Sequence, residues 1–376
     1  YPLIDGVVNG CPSHLLEPQR TNLITYSEDF SNAYWTKNGS SIVSGFTSPT
    51  GDLNSFKLVE SALNERHRIR LSSSASVLNS TAHSQSIFVK SAGRTKVAIK
   101  DNVSSSEYAS FDLITGFLIE QSVGSNFSIE EINGGFYKIS NTYTTIGTTA
   151  GLEISILNNS YTGGDPVNDD YQGDGTSGVY IYGAQFEQGS FPTSYIPNYG
   201  TSAGITRSAD TANGAGDAST FNDSEGVLMA EISAFAYDEA IAKTISIINS
   251  TSNSNLIRLY YYQNKIVANI KVGGVTVVEY VHTLSSPVLI IKVAFKYKQN
   301  DFAFWVNGIK VGSDSLGNVP TGLNVLSFDY AGGSDFYGNT KQIQYFDSVL
   351  NDSDLETITS WTSFTDLANG QTYSIK

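Results

Sequence analysis

Residues 173–197 read GDGTSGVYIYGAQFEQGSFPTSYIP, and this stretch decides the fold of the chain. Its run Val179–Glu187 is apolar and aromatic and follows a glycine-rich turn, which is typical of a strand in a β-sandwich. Pro192 and Pro197 then fix φ and hold the chain extended, and the aromatic residues around them are too apolar for a freely solvated tether. We therefore predict a strand that closes one sandwich and an ordered connector that leads to a second.

The same pattern recurs on both sides of this stretch. Short apolar or alternating runs are separated by Gly, Asn, Asp and Ser, and helical periodicity is nearly absent. The chain is therefore predicted to be all-β, with two β-sandwich (jelly-roll) domains in tandem. In the first half the predicted strands lie near Ser55–Val59, Arg66–Leu71, Ser84–Lys90, Thr95–Lys100, Tyr108–Asp112, Phe136–Tyr143, Leu152–Leu157 and Val179–Glu187. In the second half they lie near Gly226–Ala234, Lys243–Ile248, Leu256–Tyr262, Lys265–Val272, Val275–Val281, Val288–Lys298, Asp301–Val306, Ile309–Ser313, Val325–Asp329 and Lys341–Phe346.

These runs divide the chain into four parts. We expect a lead-in segment over residues 1–20, a first sandwich over 21–190, the connector over 191–210, and a second sandwich over 211–376. Asn307-Gly308 predicts a tight hairpin, because this pair best adopts positive φ at both turn positions, and Tyr262–Lys265 predicts another. Asn351 followed by acidic residues predicts the one short helix, near the C-terminus.

Composition excludes several classes of partner. The 376 residues are 40% hydrophobic, 12% aromatic and only 15% charged, and the formal net charge is -14. A nucleic-acid partner is not expected, because binding phosphates needs a basic face. Cys11 is the only cysteine, so we expect no internal disulfide and interpret it as a small buried hydrophobe or a reactive thiol. No apolar run is long enough to predict a membrane span.

Three motifs carry a resemblance to a known family: LLEPQRTNLITYSEDFSNAYWTKNG (Leu15–Gly39), the opening stretch (Gly173–Pro197), and TRSAD (Thr206–Asp210). They resemble bacteriophage virion proteins, mostly tail-fibre, head-fibre or other adhesive appendages. In these a domain similar to carbohydrate-binding modules precedes a concanavalin-like, laminin-G-type sandwich. FAFWVNGIKVG and KQIQYFDSVLNDSDLETIT match the second domain more loosely.

The resemblance implies a virion-surface fibre or decoration that recognises a host glycan or other receptor. It also implies contacts with other virion proteins and a symmetric homo-oligomer, with a trimer favoured. Similar modules occur in secreted polysaccharide-acting proteins, so a secreted pair of carbohydrate-binding modules is one alternative. A polysaccharide lyase or hydrolase is another. No catalytic motif supports an enzyme, since the sequence has no Gly-x-Ser-x-Gly, no His-Glu-x-x-His and no phosphate loop.

Arginines mark the first candidate binding residues. In the run Glu65–Arg70, strand alternation places Arg66, Arg68 and Arg70 on one face and His67 on the other. A row of guanidinium groups can grip sugar hydroxyls, carboxylates or sulfates with paired hydrogen bonds. The alternative is a solvated strand face that nearby acids balance.

Two aromatic residues complete the candidate ligand-binding set. Trp35 could offer its indole as a platform for the apolar face of a sugar, or it could belong to the core. Tyr261 stands in a run of three tyrosines, 260–262, where at least one ring should be exposed. We select it for ligand contact, with a simple surface aromatic as the alternative.

A metal site is predicted in the acidic loop before the closing strand. Asp169, Asp170 and Asp174 offer hard oxygen ligands in a glycine-rich loop, which suits calcium. The resembled carbohydrate-binding modules often hold a structural calcium near the terminal strand. The alternative is a solvated, turn-rich loop.

Overall fold

The computed structural model describes residues 3–4, 7–8, 13–103, 107–235, 241–330 and 332–361. Within these ranges the chain is nearly all β, in antiparallel sheets with one short helix near the C-terminus, which confirms the predicted fold class. No described helix is long and apolar enough to cross a membrane. Cys11 lies outside the described residues.

The strands are numbered β1 to β32 in chain order. The first seventeen are β1 Leu3–Ile4, β2 Val7–Val8, β3 His14–Leu16, β4 Arg20–Asn22, β5 Trp35–Asn38, β6 Ser40–Phe46, β7 Ser55–Glu60, β8 Asn64–Glu65, β9 His67–Leu71, β10 Ala75–Ser76, β11 Ala82–Ala92, β12 Lys96–Lys100, β13 Tyr108–Asp112, β14 Phe117–Gln121, β15 Ser125–Ile132, β16 Phe136–Thr144 and β17 Thr149–Ala150. The remainder are β18 Glu153–Leu157, β19 Tyr171–Gln172, β20 Gly178–Gln188, β21 Ile205–Arg207, β22 Asn213–Ala215, β23 Glu225–Ala234, β24 Lys243–Ile248, β25 Leu256–Tyr262, β26 Lys265–Val272, β27 Val275–Thr283, β28 Ile291–Lys298, β29 Phe302–Val306, β30 Ile309–Asp314, β31 Val325–Ser327 and β32 Gly338–Phe346. The helix α1 is Asp352–Thr359, and short 3-10 turns occur at Asn133–Gly135 and Pro166–Asn168.

The described residues form two compact units, and residues 19–208 belong to the first sandwich. Its sheet A has the strand order β15-β16-β11-β20-β7-β6, and its sheet B has the order β14-β13-β12-β18-β9-β5. Side chains from both sheets meet in one core, which includes Ile87, Ile139 and Ile181 of sheet A with Ile99 and Ile154 of sheet B. Two sheets that each bury one apolar face in this way form a β-sandwich.

Residues 13–18 and 209–361 belong to the second sandwich. Its sheet C has the order β22-β31-β24-β25-β26-β27, and its sheet D has the order β3-β32-β23-β28-β29-β30. The core contains Leu259 and Ile270 of sheet C and Phe295 and Phe304 of sheet D. Strand β3 lies in the segment that we expected to be a lead-in, and the sequence did not indicate it because it is only three residues long.

The helix α1 packs on the outer side of sheet D. Leu355 is fully buried there, in one cluster with Met229, Ala294 and Trp305. The side chain of Asn351 caps the helix by accepting a hydrogen bond from the Asp354 backbone amide at 2.9 Å. The helix therefore covers the face on which Trp305 lies, opposite the main core.

The two predicted hairpin turns are present. Asn307 has φ 48° and Gly308 has φ 79°, as expected for a two-residue turn between β29 and β30. Gln263 has φ 54° between β25 and β26. A Cβ on Gly308 would also come within 2.5 Å of Ser360 Oγ, so both the backbone and the packing favour glycine there.

The segment after β20 is held against its own sandwich. Glu187 is fully buried and accepts hydrogen bonds from the backbone amide of Thr193 at 2.8 Å and from its hydroxyl at 2.6 Å. The Gln185 side chain donates to the Glu187 carboxylate at 2.6 Å and accepts from the Ile196 amide at 2.7 Å. These buried bonds hold residues 193–196 against the sandwich, because breaking them would leave the buried Glu187 carboxylate with two hydrogen bonds fewer.

Candidate functional site

The arginine run forms part of sheet B. His67, Ile69 and Leu71 of β9 are buried, whereas Arg68 and Arg70 are half-buried on the outer face of the sheet. Arg66 lies just before β9 and is also half-buried. The alternation inferred from the sequence is therefore present in the structure.

One of the three arginines has a carboxylate partner. Arg68 Nη1 donates to Glu153 Oε2 at 2.8 Å, and the Ser155 hydroxyl donates to the other oxygen, Oε1, at 3.0 Å. Burial lowers the pKa of Arg68, and the charges of Arg66 and Arg70 lower it further while Glu153 opposes them. Arg66 and Arg70 are therefore each close enough to Arg68 for their charges to disfavour its charged form.

The other two arginines lack such a partner. Arg70 Nε donates to Asn38 Oδ1 at 3.1 Å on the neighbouring strand β5, and this is its one side-chain bond within the described residues. Arg66 Nη1 is buried without a hydrogen-bond partner, as is Arg68 Nε. In the ranges that the structure describes, the one carboxylate paired with any of these three guanidinium groups is that of Glu153, and its partner is Arg68. The outer face at β9 carries a local excess of positive charge on a chain whose net charge is -14.

A loop confines this charge to one half of sheet B. Lys100 Nζ binds Asp165 Oδ1 at 2.6 Å, and Lys96 Nζ donates to the Tyr161 carbonyl at 2.5 Å. Tyr161 packs on Ala98 and Leu157, which lie on the outer face at β12 and β18. The loop therefore covers the β12 side, and the face formed by β9 and β5 carries the arginines.

Trp35 is not a surface platform, so that prediction is wrong. Its side chain is 1% exposed, packs 5.1 Å from the Phe30 ring centroid, and donates from Nε1 to the Tyr26 carbonyl at 2.9 Å. Trp35 pairs with Leu71 across β5 and β9, and this register turns both side chains toward the core.

Tyr261 is also a core residue, which corrects the second aromatic prediction. It is 2% exposed, and its hydroxyl donates to the Ile232 carbonyl at 3.1 Å. Its neighbours Tyr260 and Tyr262 are on the opposite face of β25, half-buried and exposed respectively. One ring of the run is therefore buried and two face outward.

The three loop aspartates do not form a metal cluster. No group of three or more His, Cys, Asp or Glu side chains able to hold a metal occurs among the described residues, which include all three. Asp174 Oδ1 accepts from the backbone amides of Thr176 and Ser177, and Asp169 Oδ2 accepts from the Asn158 amide at 2.7 Å. Asp170 is exposed. The carboxylates of Asp169 and Asp174 thus accept hydrogen bonds from nearby backbone amides, and calcium binding in this loop stays a prediction.

Sequence reasoning missed Asn38 and Glu153. Both lie next to the arginines only because β5 and β18 flank β9 in sheet B, and they are 30 and 85 residues from Arg68 along the chain. In the sequence, Asn38 is a lone asparagine before a glycine and Glu153 is a lone glutamate in an apolar strand, so neither signals contact with the arginines. That contact becomes visible only from the order of the strands in sheet B.

Comparisons with known proteins found only distant structural matches. No family model and no curated protein matches this chain. Among solved structures, the carbohydrate-binding module of a Ruminococcus gnavus sialidase bound to α2,3-sialyllactose is 16% identical, with a TM-score of 0.33, and covers 40% of this chain and 94% of that one. A leech intramolecular trans-sialidase is 18% identical, with a TM-score of 0.34 over 41% of this chain and 27% of that one. Sheep galectin-11 is 10% identical, with a TM-score of 0.26 over 36% of this chain and 97% of that one. At this level of similarity the matches establish no shared ligand.

Proposed function

We propose that this chain is a non-enzymatic structural protein of a bacteriophage virion, a fibre or surface decoration, that binds an acidic glycan on the host surface. The observation that carries the ligand class is the arginine face, where Arg68 pairs with Glu153 and the described residues give Arg66 and Arg70 no carboxylate partner. A glycan carboxylate or sulfate would supply the missing negative charge.

The geometry suits a compact anionic group. Asn38 holds Arg70 through Nε, so the two Nη atoms of its planar fork stay open for paired hydrogen bonds. Each charge-assisted bond contributes about 1.5–3 kcal/mol. The acidic remainder of the surface opposes a long polyanion, so the expected ligand is a short acidic epitope whose binding weakens as salt rises.

The virion assignment rests on the sequence motifs at Leu15–Gly39, Gly173–Pro197 and Thr206–Asp210. The virion assignment also implies that the protein lies at the virion surface, contacts other virion proteins and forms a homo-oligomer, with a trimer favoured. Immunodetection on purified particles tests this part. A chain found only as a free secreted monomer would point to the alternative, a pair of carbohydrate-binding modules from a polysaccharide-degrading system. Depolymerisation of an acidic polysaccharide by the pure chain would indicate a lyase or hydrolase.

The ligand class is tested by comparing R66Q/R70Q with the unaltered chain. This double variant keeps the Arg68–Glu153 pair intact, so the fold should survive. The probes are the methyl glycosides of glucuronic acid and glucose, titrated by NMR at low salt. We expect roughly a tenfold or greater loss of affinity for the acidic probe, because two charged donors are removed.

A matched control removes the same charge from sheet A. Lys57 and Lys90 lie on β7 and β11 of that sheet and donate to the carbonyls of Thr176 and Gly134, so K57Q/K90Q lowers the net charge equally without touching sheet B. We expect this variant to bind like the unaltered chain. If both double variants lost the same affinity for the acidic probe, net charge alone would explain the loss, and the proposed site would be overturned.

A further inference from the structure

Arg258 lies on the outer face of sheet C, in an arrangement similar to that of Arg70 on sheet B. Strand register places Ser246, Arg258, Asn269 and Glu279 in one row across β24, β25, β26 and β27. Arg258 is half-buried and faces outward, because its neighbours Ile257 and Leu259 are in the core.

A buried asparagine positions this arginine. Asn269 is 0% exposed, and its Oδ1 accepts from Arg258 Nε at 3.0 Å. Its amide nitrogen lies 3.3 Å from both the Val278 carbonyl and Glu279 Oε2, and these acceptors fix the orientation of the amide. Arg258 is thus held through Nε in the same way as Arg70 is held by Asn38.

Two tyrosine rings enclose the guanidinium group. Arg258 Cζ lies 4.6 Å from the Tyr260 ring centroid and 4.9 Å from that of Tyr330. Stacking of this kind fixes the plane of the fork without using its N–H groups. Within the described residues neither Nη atom has a hydrogen-bond partner and neither is buried, so both are open to an incoming acceptor.

Further groups on the same face can contact a ligand. Lys271 Nζ lies 5.7 Å from the Tyr330 ring centroid and adds a second positive charge. Glu279 is exposed and offers an acceptor for a hydroxyl group.

We propose that Arg258, Tyr260 and Tyr330 form a second saccharide-binding site, on the second sandwich, for a pyranose that carries a carboxylate. The two Nη atoms of Arg258 bind the carboxylate oxygens, a tyrosine ring supports the C–H face of the sugar, and Glu279 accepts from a hydroxyl. This site takes its ligand class from the proposed function but lies on another surface, so either site can fail without the other.

The test uses the full chain with R66Q/R70Q, which removes the first site. The probe is the methyl glycoside of glucuronic acid, observed by saturation-transfer NMR and titrated at low salt. We expect residual binding in R66Q/R70Q, and at least a fivefold loss of that binding when R258Q is added. R258K should lose nearly as much, because lysine keeps the charge but not the fork.

The matched control is K265Q, which removes one positive charge from β26 of the same sheet. It should bind like its parent. Thermal unfolding of every variant checks that the second sandwich stays folded, and Tyr260→Ala gives an independent readout if R258Q unfolds. The proposal is overturned if folded R66Q/R70Q shows no residual binding, or if R258Q and Y260A leave that binding unchanged.

Discussion

The hydroxyl group of Tyr195 lies 3.2 Å from Glu28 Oε1, and this contact joins the two longest sequence motifs of the chain. The same oxygen accepts from Tyr182 at 3.1 Å and from Tyr199 at 3.3 Å. Burial raises the pKa of both Tyr182 and Tyr195, and the charge of Glu28 raises each further, so these hydroxyls stay protonated donors. Residues of both motifs therefore help to hold the first sandwich together.

Glu28→Gln should destabilise the first sandwich. The glutamine amide can accept from fewer hydroxyls than the carboxylate, and its NH2 group is a donor placed among hydroxyls that also donate. We therefore expect the free energy of unfolding to fall by about 1–3 kcal/mol. Urea denaturation measures the change. Glu130→Gln is the control, because Glu130 is exposed and should change stability by less than about 0.5 kcal/mol. Equal stability of the two variants would show that the tyrosine contacts do not stabilise the fold.

The arginine face shows how far sequence reasoning reaches. Alternation within β9 predicted that Arg68 and Arg70 face away from Ile69, because a strand has a period of two. The same rule places Tyr261 on the core side when it is extended from the apolar Ile257 and Leu259, but the three tyrosines taken alone do not reveal this parity. Trp35 was misassigned because its orientation depends on the pairing with Leu71, a partner 36 residues away. A single sequence does not show which strands are neighbours in a sheet, so it does not show the contacts that depend on strand order.

Acid should destabilise the first sandwich through Glu60. Its carboxylate accepts from Arg94 Nε at 2.7 Å and Nη2 at 2.6 Å, from the Tyr171 hydroxyl at 2.7 Å, and from the Asp174 amide at 2.8 Å. Burial opposes ionisation of Glu60, but these bonds outweigh it and lower its pKa. A lowered folded-state pKa stabilises the fold above the pKa of an unfolded glutamate, and this contribution is lost as the pH falls through the folded value.

The variant Glu60→Gln isolates this effect. We expect a loss of about 3–5 kcal/mol at neutral pH, because Arg94 then lacks its buried partner, and a flatter dependence of stability on pH below about 5. Denaturation curves from pH 3 to 7 measure both. An unchanged acid slope would show that other carboxylates control the acid transition.

Asn38 should act on ligand binding by positioning Arg70. Asn38→Ala removes the acceptor of Arg70 Nε, so the fork loses its fixed orientation, and we expect about 3–10-fold weaker binding of the glucuronoside with stability changed by less than about 1 kcal/mol. Asn38→Asp should weaken binding further, because its carboxylate would pair with Arg70. Tighter binding by the aspartate variant would contradict the predicted anionic ligand.

Trp35→Phe should separate core packing from ligand binding. The substitution removes the hydrogen bond to the Tyr26 carbonyl and leaves a cavity beside Phe30, so we expect a loss of about 1–3 kcal/mol. Affinity for the glucuronoside should stay within twofold, because the indole does not reach the outer face of sheet B. A large loss of affinity for the glucuronoside at unchanged stability would show that Trp35 does contribute to ligand binding.

Thr193→Val should loosen the segment that follows β20. The valine keeps the shape of threonine but cannot donate to Glu187 Oε2, which leaves a fully buried carboxylate with one bond fewer. We expect a loss of about 1–3 kcal/mol and faster proteolysis within residues 190–199, measured by urea denaturation and by mass spectrometry of the fragments. Thr193→Ser keeps the hydroxyl and is the control, with near-normal resistance expected. If the serine variant were cut as fast as the valine variant, the methyl contact rather than the hydrogen bond to Glu187 would hold the segment.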